Sequence, residues 1–207
     1  MPTFTKDGRS LLFIHVPKAG GTSIERRLER AGWQMGFRAT SRTEEQFRLR
    51  RVSPQHYHGD LLKEVLRLGA FDVIFMLVRE PLARFRSEYA HRNRDPEKGR
   101  AEVVTAWADD VLERYERNPY VLDNHLRPQH EYLVPKTQVY KLEDGLETML
   151  TDLNERFDVG VPTNIGRRLD SNVEGRLGSR DVEVTDELAE RLRKKYAADY
   201  ETFGYEL

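Results

Sequence analysis

The residues in this chain best suited to chemistry fall in one short run, Pro17-Lys18-Ala19-Gly20-Gly21-Thr22-Ser23. Two adjacent glycines let a backbone curl closely around an anion with no Cβ in the way. Lys18 adds a mobile cation, and Thr22 and Ser23 add hydroxyls. If the run feeds a helix, the unpaired N–H groups of the first turn and the positive end of the helix dipole converge on the same anion. These are the parts of a phosphate cradle. The residue order separates it from two common versions. A Walker loop, G-x-x-x-x-G-K-[ST], has its lysine directly before the hydroxyl, whereas Lys18 precedes the glycines here and Gly21 precedes Thr22. The dinucleotide pattern G-x-G-x-x-G is also missing.

A second chemical group is the pair His56 and His58 in Pro54-Gln55-His56-Tyr57-His58. Histidine is the natural general base near neutral pH. In an extended segment the two rings would face the same way, so either is a candidate. The pair lacks nearby carboxylates at ligand spacing, and no metal site is expected. His15 interrupts an apolar run and reads as a packing or supporting residue. His125 and His130 sit in a polar segment, where a substrate contact and a structural role are both open. Trp33 and Trp107 read as core.

The elements that must position these groups follow from periodicity. Leu11–Val16, polar only at His15, reads as a buried strand, and Ile24, Leu28 and Ala31 recur at helical spacing after the glycines. Gly32–Arg51 carries no clear pattern. Leu61–Leu68 reads as a short amphipathic helix ended by Gly69. Phe71–Val78 is a second buried run of the parallel-strand type, and Pro81 fits the first turn of the helix that follows. Ala101–Arg117 is helical, Asn118–Pro135 irregular, Gln138–Lys141 a short strand and Glu143–Phe157 a helix. A polar loop spans Gly160–Gly178, and Thr185-Asp186-Glu187-Leu188 caps a last helix running to Tyr200. Alternating strands and helices predict an α/β fold: a three-layer domain with a mostly parallel central sheet flanked by helices, in a single domain over residues 1–207.

Composition narrows the function classes. The 207 residues suffice for a sizeable core, and the net charge of −1 gives no global field for nucleic acid or acidic membranes. No cysteine is present, which removes disulfides, thiol nucleophiles and Cys-type zinc sites. No apolar run approaches the ~20 residues that span a bilayer. A cytoplasmic protein is expected, free or at a membrane periphery. Of 34 basic side chains eight are lysine and 26 arginine, the residue suited to bidentate binding of phosphate, sulfate or carboxylate.

The loop after a buried strand resembles the 5′-phosphosulfate loop of sulfotransferases that use 3′-phosphoadenosine-5′-phosphosulfate (PAPS). The segment Val78-Arg79-Glu80-Pro81-Leu82-Ala83-Arg84-Phe85-Arg86-Ser87-Glu88-Tyr89 is similar to that family's 3′-phosphate motif, a strand ending in arginine with a serine eight residues on. Ser53-Pro54-Gln55-His56, His125-Leu126-Arg127-Pro128-Gln129, the Val139–Glu143 strand end and the Asp199–Tyr205 tail extend the resemblance to the carbohydrate branch. That branch, sulfotransferase family 2, holds heparan 2-O and chondroitin-type enzymes and small bacterial relatives. The resemblance implies a P-loop-like fold and a donor site of Pro17, Lys18, Ala19, Gly20, Gly21, Thr22, Ser23, Arg79 and Ser87. Lys18 would act at the bridging oxygen, His56 (favoured over His58) would be the base, and Arg127 and Gln129 would line the acceptor cleft or brace the nucleotide. Arg167, Arg168 and Arg176 would lie in a loop able to close over ligand. It further implies PAPS as donor and PAP as product, no metal requirement, and a hydroxyl acceptor, expected to be a saccharide. Two other readings remain at this stage. One is a P-loop nucleotide kinase-like enzyme, against which the second strand ends in Arg79 and not in a metal-holding acid. The other is a non-catalytic PAP- or glycan-binding protein on the same scaffold.

Overall fold

The computed structural model describes residues 2–39, 45, 49–164 and 175–206. Five strands, β1 (Thr3–Lys6), β2 (Arg9–Ile14), β3 (Gln34–Gly36), β4 (Val73–Val78) and β5 (Gln138–Lys141), form one sheet in the order β3-β1-β2-β4-β5. The described α-helices are α1 (Gly21–Arg30), α2 (Gly59–Val65), α3 (Pro81–Arg92), α4 (Ala101–Arg117), α5 (Leu146–Phe157), α6 (Asp186–Lys195) and α7 (Ala197–Phe203). The chain divides into two compact units, Met1–Val78 with Glu131–Gly166, and Arg79–His130 with Arg167–Leu207.

The first unit holds the whole sheet. β2, β4 and β5 are parallel, in register Phe13 to Phe75 and Met76 to Val139. The expectation of a mostly parallel sheet is met in these three strands and corrected at the other edge. There β1 runs antiparallel to both β2 and β3. Asp7 and Gly8, with φ of 49° and 78°, close the β1–β2 hairpin. Two central residues at positive φ match the right-handed twist of paired strands. Central parallel strands are apolar on both faces, and all six residues of β4 are buried. On one face Leu11, Phe13, Val73, Phe75 and Leu77 pack against Ile24 and Leu28 of α1 and Met149, Leu150 and Leu153 of α5. The Phe13 and Phe75 rings stack with centroids 5.0 Å apart. Trp33 is core, as expected, and its Nε1 donates to the Val159 carbonyl at 3.0 Å.

The second unit is helical. Pro81 opens α3 after Glu80, whose carboxylate accepts from the backbone N–H groups of Leu82 and Ala83 at 2.8 and 2.6 Å. Thr185 caps α6 by accepting from Leu188 N at 3.2 Å. Phe85 and Tyr89 of α3, Val104 and Ala108 of α4, Leu188 and Leu192 of α6 and Tyr196 and Tyr200 share one core, with Trp107 edge-on to Tyr89. The last helix, expected to be continuous to Tyr200, breaks at Tyr196. The Tyr196 backbone leaves the helical region (φ −104°, ψ 18°), its side chain is buried and its hydroxyl donates to the Leu126 carbonyl at 3.0 Å.

Candidate functional site

β2 stops at Ile14, and the chain passes through buried His15, Val16 and Pro17 to half-buried Lys18. Lys18 (φ 66°) and Gly20 (φ 88°) both take the left-handed conformation, and α1 starts at the next residue. A left-handed lysine costs on the order of 1–2 kcal/mol. The turn is closed by Ala19 N–H to Val16 O (3.3 Å) and Ser23 N–H to Gly20 O (3.1 Å). Gly20, the N-cap residue, has no side chain to cap α1, and the first turn of α1 carries no acid, while Arg27 and Arg30 stand in its last turn. The first turn thus holds no counter-charge to the positive end of the helix, and the Glu25 carboxylate of α1 is engaged by His15 and Arg38. Thr22 is exposed and Ser23 half-buried at that end.

Beneath the loop lies a buried polar cluster. An added Cβ on Gly21 would meet Cε1 and Nε2 of His15 at 2.7 Å, so the imidazole fills the place of the missing side chain. His15 Nδ1 donates to Oε1 of Glu25, which is almost fully buried, and Arg38 Nη1 stands 3.5 Å from Oε2. Burial pushes the Glu25 carboxyl up, but the hydrogen bond and charge of His15, with Arg38 and His56, outweigh it and hold it below its ordinary value. The His56 ring meets His15 edge-on with centroids 5.4 Å apart, and Ser53 Oγ lies 3.3 Å from His56 Nδ1. His56 is thereby brought to the underside of the loop through one intervening ring. The condition under which the two rings would share a face, an extended segment over residues 54–58, is not met. Pro54–His56 is a 3₁₀ turn, with His56 N–H donating to Ser53 O at 3.0 Å, and only then does the chain extend. His58, also buried, is the N-cap residue of α2.

In the second unit Arg79 is the first residue past β4, beyond the Val78–Lys141 pair that ends the β4–β5 ladder. Its backbone N–H donates to Gln129 Oε1 at 3.0 Å, and its carbonyl accepts from Gln129 Nε2 at 2.7 Å. Gln129, expected to line the acceptor cleft or brace the nucleotide, is fully buried with its side-chain amide on the Arg79 backbone. Arg127 is also buried, with Nε donating to Asn124 Oδ1 at 3.2 Å and its guanidinium 5.4 Å from the Tyr120 ring centre. Ser87 is half-buried, two turns into α3. The preceding loop makes a left-handed turn at Leu122, Asp123 and Asn124 (φ 52°, 59° and 65°). Buried Arg84 fixes the chain after it by donating to the carbonyls of His125 (3.1 Å) and Arg127 (2.8 Å).

Of the other histidines, His125 Nδ1 contacts Glu88 Oε2 at 2.6 Å and His130 Nδ1 contacts Asp199 Oδ1 at 2.8 Å. Burial pushes Glu88 up, yet the hydrogen bond and charge of His125 and then Arg92 bring it down to about 2. Arg176 is exposed, and Arg167 and Arg168 lie outside the described residues. Glu25, Glu80, Glu88 and Asp199 carry much of this architecture and were not singled out from sequence. Glu25 had a signal: with Gly21, Ile24 and Leu28 it completes an i, i+3, i+4, i+7 stripe, so a charge fell on the buried face of α1.

A buried parallel strand that passes through a left-handed turn into a helix places the chain among α/β proteins. The Sulfotransferase family model matches residues 1–206, and the chain belongs to that family. The resemblance carried by the loop and the Arg79 segment is borne out, and the reaction class is that of a sulfotransferase. No curated protein and no solved structure matches the chain. Among the described residues no helix is long and apolar enough to cross a membrane.

Proposed function

We propose that the protein transfers the sulfuryl group of PAPS to a hydroxyl, with a saccharide as the expected acceptor and the cytoplasm as the expected setting. The observation that carries this reading is the loop itself: a lysine and a glycine in left-handed conformation deliver the chain to a helix start with neither cap nor acid. In this reading the backbone N–H groups and hydroxyls of Gly20–Ser23 hold the 5′-phosphate in its P-loop-like turn, with Pro17 and Ala19 shaping the approach. Lys18 stabilises the charge that grows on the bridging oxygen as the S–O bond breaks. Arg79 and Ser87 take the 3′-phosphate. His56 accepts the acceptor's proton as its oxygen bonds to sulfur, and His58 is the alternative base. The leaving group, PAP, is a stable phosphate, so the residues named supply the charge stabilisation without a metal.

Calorimetry with PAP tests the donor half. Binding without magnesium, tighter than for ATP and lost in Arg79→Ala, is expected; no PAP binding by folded protein refutes the reading. A labelled-PAPS screen over sugars, lipids and small alcohols tests the acceptor half. Transfer should disappear in Lys18→Ala and fall by about 10²–10⁴-fold in His56→Ala, the range of general-base catalysis. Tight PAP binding with no transfer to any acceptor would indicate a binding protein.

A further inference from the structure

The side chain that holds the Arg79 backbone lies 50 residues further along the chain, and its own support lies 70 residues beyond that. We propose that Gln129 and Asp199 are positioning residues for Arg79 that set the protein's selectivity for ligands bearing a 3′-phosphate. The proposal rests on the reading of Arg79 as the 3′-phosphate ligand.

Arg79 stands where β4 has ended, so its N–H and carbonyl have lost the strand ladder. Gln129 replaces that ladder with one side chain, accepting from the N–H at 3.0 Å and donating to the carbonyl at 2.7 Å. Two bonds to one residue, from one planar amide, fix the peptide planes on both sides of its Cα and hence the direction of the Cα–Cβ bond from which the side chain starts. A binding constellation tolerates errors on the order of 0.5 Å or 10–20°, and an arginine on an unfixed turn exceeds that easily.

Gln129 is held in turn. Its backbone N–H donates to Asp199 Oδ2 at 2.8 Å, while Oδ1 of the same carboxylate accepts from His130 N (2.9 Å) and lies 2.8 Å from His130 Nδ1. Asp199 is fully buried, and these partners satisfy both of its oxygens. The next residue of α7 braces the other side of the turn: Tyr200 Oη donates to Glu80 Oε1 at 2.7 Å, and Glu80 caps α3. Successive residues of α7 thus support successive residues of the strand-to-helix turn. The clamp gives a task to Gln129 in His125–Gln129 and to the first two residues of the Asp199–Tyr205 tail.

A pair of ligands that differ only in the 3′-phosphate tests the proposal. Affinities for PAP and for adenosine 5′-phosphate are measured by calorimetry on wild type, Arg79→Ala, Gln129→Ala and Asp199→Asn, each checked for folding by circular dichroism. Gln129→Ala should weaken PAP by about tenfold and leave adenosine 5′-phosphate unchanged, and Asp199→Asn should give a smaller loss with the same selectivity. Asp199→Asn keeps side-chain shape and carries the test if Gln129→Ala does not fold. Equal losses for both ligands, or no loss for either, in a folded Gln129 or Asp199 variant overturns the clamp. PAP binding that survives Arg79→Ala overturns the reading beneath it, a result distinct from selective loss in Arg79→Ala alone, which overturns the clamp and leaves that reading standing.

Discussion

Replacing Gly21 by alanine tests whether the loop rests on His15. Gly21 is the first residue of α1 and its φ is not positive, so alanine suits the backbone there. Propensity alone would favour the change by up to about 1 kcal/mol. The added methyl, however, would lie 2.7 Å from His15 Cε1 and Nε2, about 0.7 Å inside the 3.4 Å at which ordinary contact begins. The ring has little room to retreat. Its Nδ1 is bound to Glu25, and the Phe13 and His56 rings stand 5.7 and 5.4 Å away. Overpacking of this kind costs about 1–3 kcal/mol, and swinging the ring away would strand a buried carboxylate for about as much again. A net loss of about 2 kcal/mol is expected, which moves a urea midpoint down by about 1 M at a slope of ~2 kcal/mol/M. PAP affinity should fall with it, because the displaced ring or the displaced loop misplaces the helix start. The decisive assay is a double-mutant cycle with His15→Ala, in which Gly21→Ala should cost little once the ring is gone. A wild-type midpoint for Gly21→Ala, or an equal cost with and without His15, would refute the reasoning.

Three further outcomes are expected. Glu88 has a folded pKa of about 2 against an ordinary 4.5, so its stabilising contribution is complete above pH 4.5 and is lost as pH falls toward 2. At 1.36 kcal/mol per unit this is about 3 kcal/mol, read as a fall in urea midpoint between pH 5 and pH 2 that is blunted in Glu88→Gln. Gly20→Ala forces a side chain to φ 88° and sets its Cβ 3.2 Å from Leu142; a loss of about 1–2 kcal/mol in melting experiments, with weakened PAP binding, is expected. Trp33→Phe keeps most of the apolar burial but leaves the Val159 carbonyl without its donor, for a loss of about 1–3 kcal/mol in denaturant titration without any change in donor affinity.

The sheet centre and the long helices were legible because periodicity reports burial directly. α4 and β5 lie where apolar spacing put them, and α3 starts at the proline that marked it. β1 and β3 escaped notice because four residues with a single buried side chain, Phe4, and three residues with none are too short for a period to stand out. Leu122–Asn124 were also hidden: the left-handed conformation suits Asp123 and Asn124 but not Leu122, and no glycine marks the turn. The turn of residues 17–23 could be read locally because its strand, its glycines and the helix that follows are contiguous in sequence. Gln129 could not: an amide turned to a ligand and one turned to a backbone 50 residues away look identical in a string of letters. Glu25 stood in plain view on the apolar stripe of α1, and the lesson there is that a charge out of pattern deserves a partner search.

The supports of the Arg79 turn also order events in time. The hydrogen bonds that fix residues 79 and 80 reach forward 50 and 120 positions along the chain. Pairings so remote are slow to form because a long loop must close before they stabilise anything. During synthesis the partners of β2 and β4 are already available while Asp199 and Tyr200 have yet to be translated. The arginine turn is therefore finished only after Asp199 and Tyr200 have left the ribosome, and a nascent chain halted short of α7 would lack the supports of residues 79 and 80.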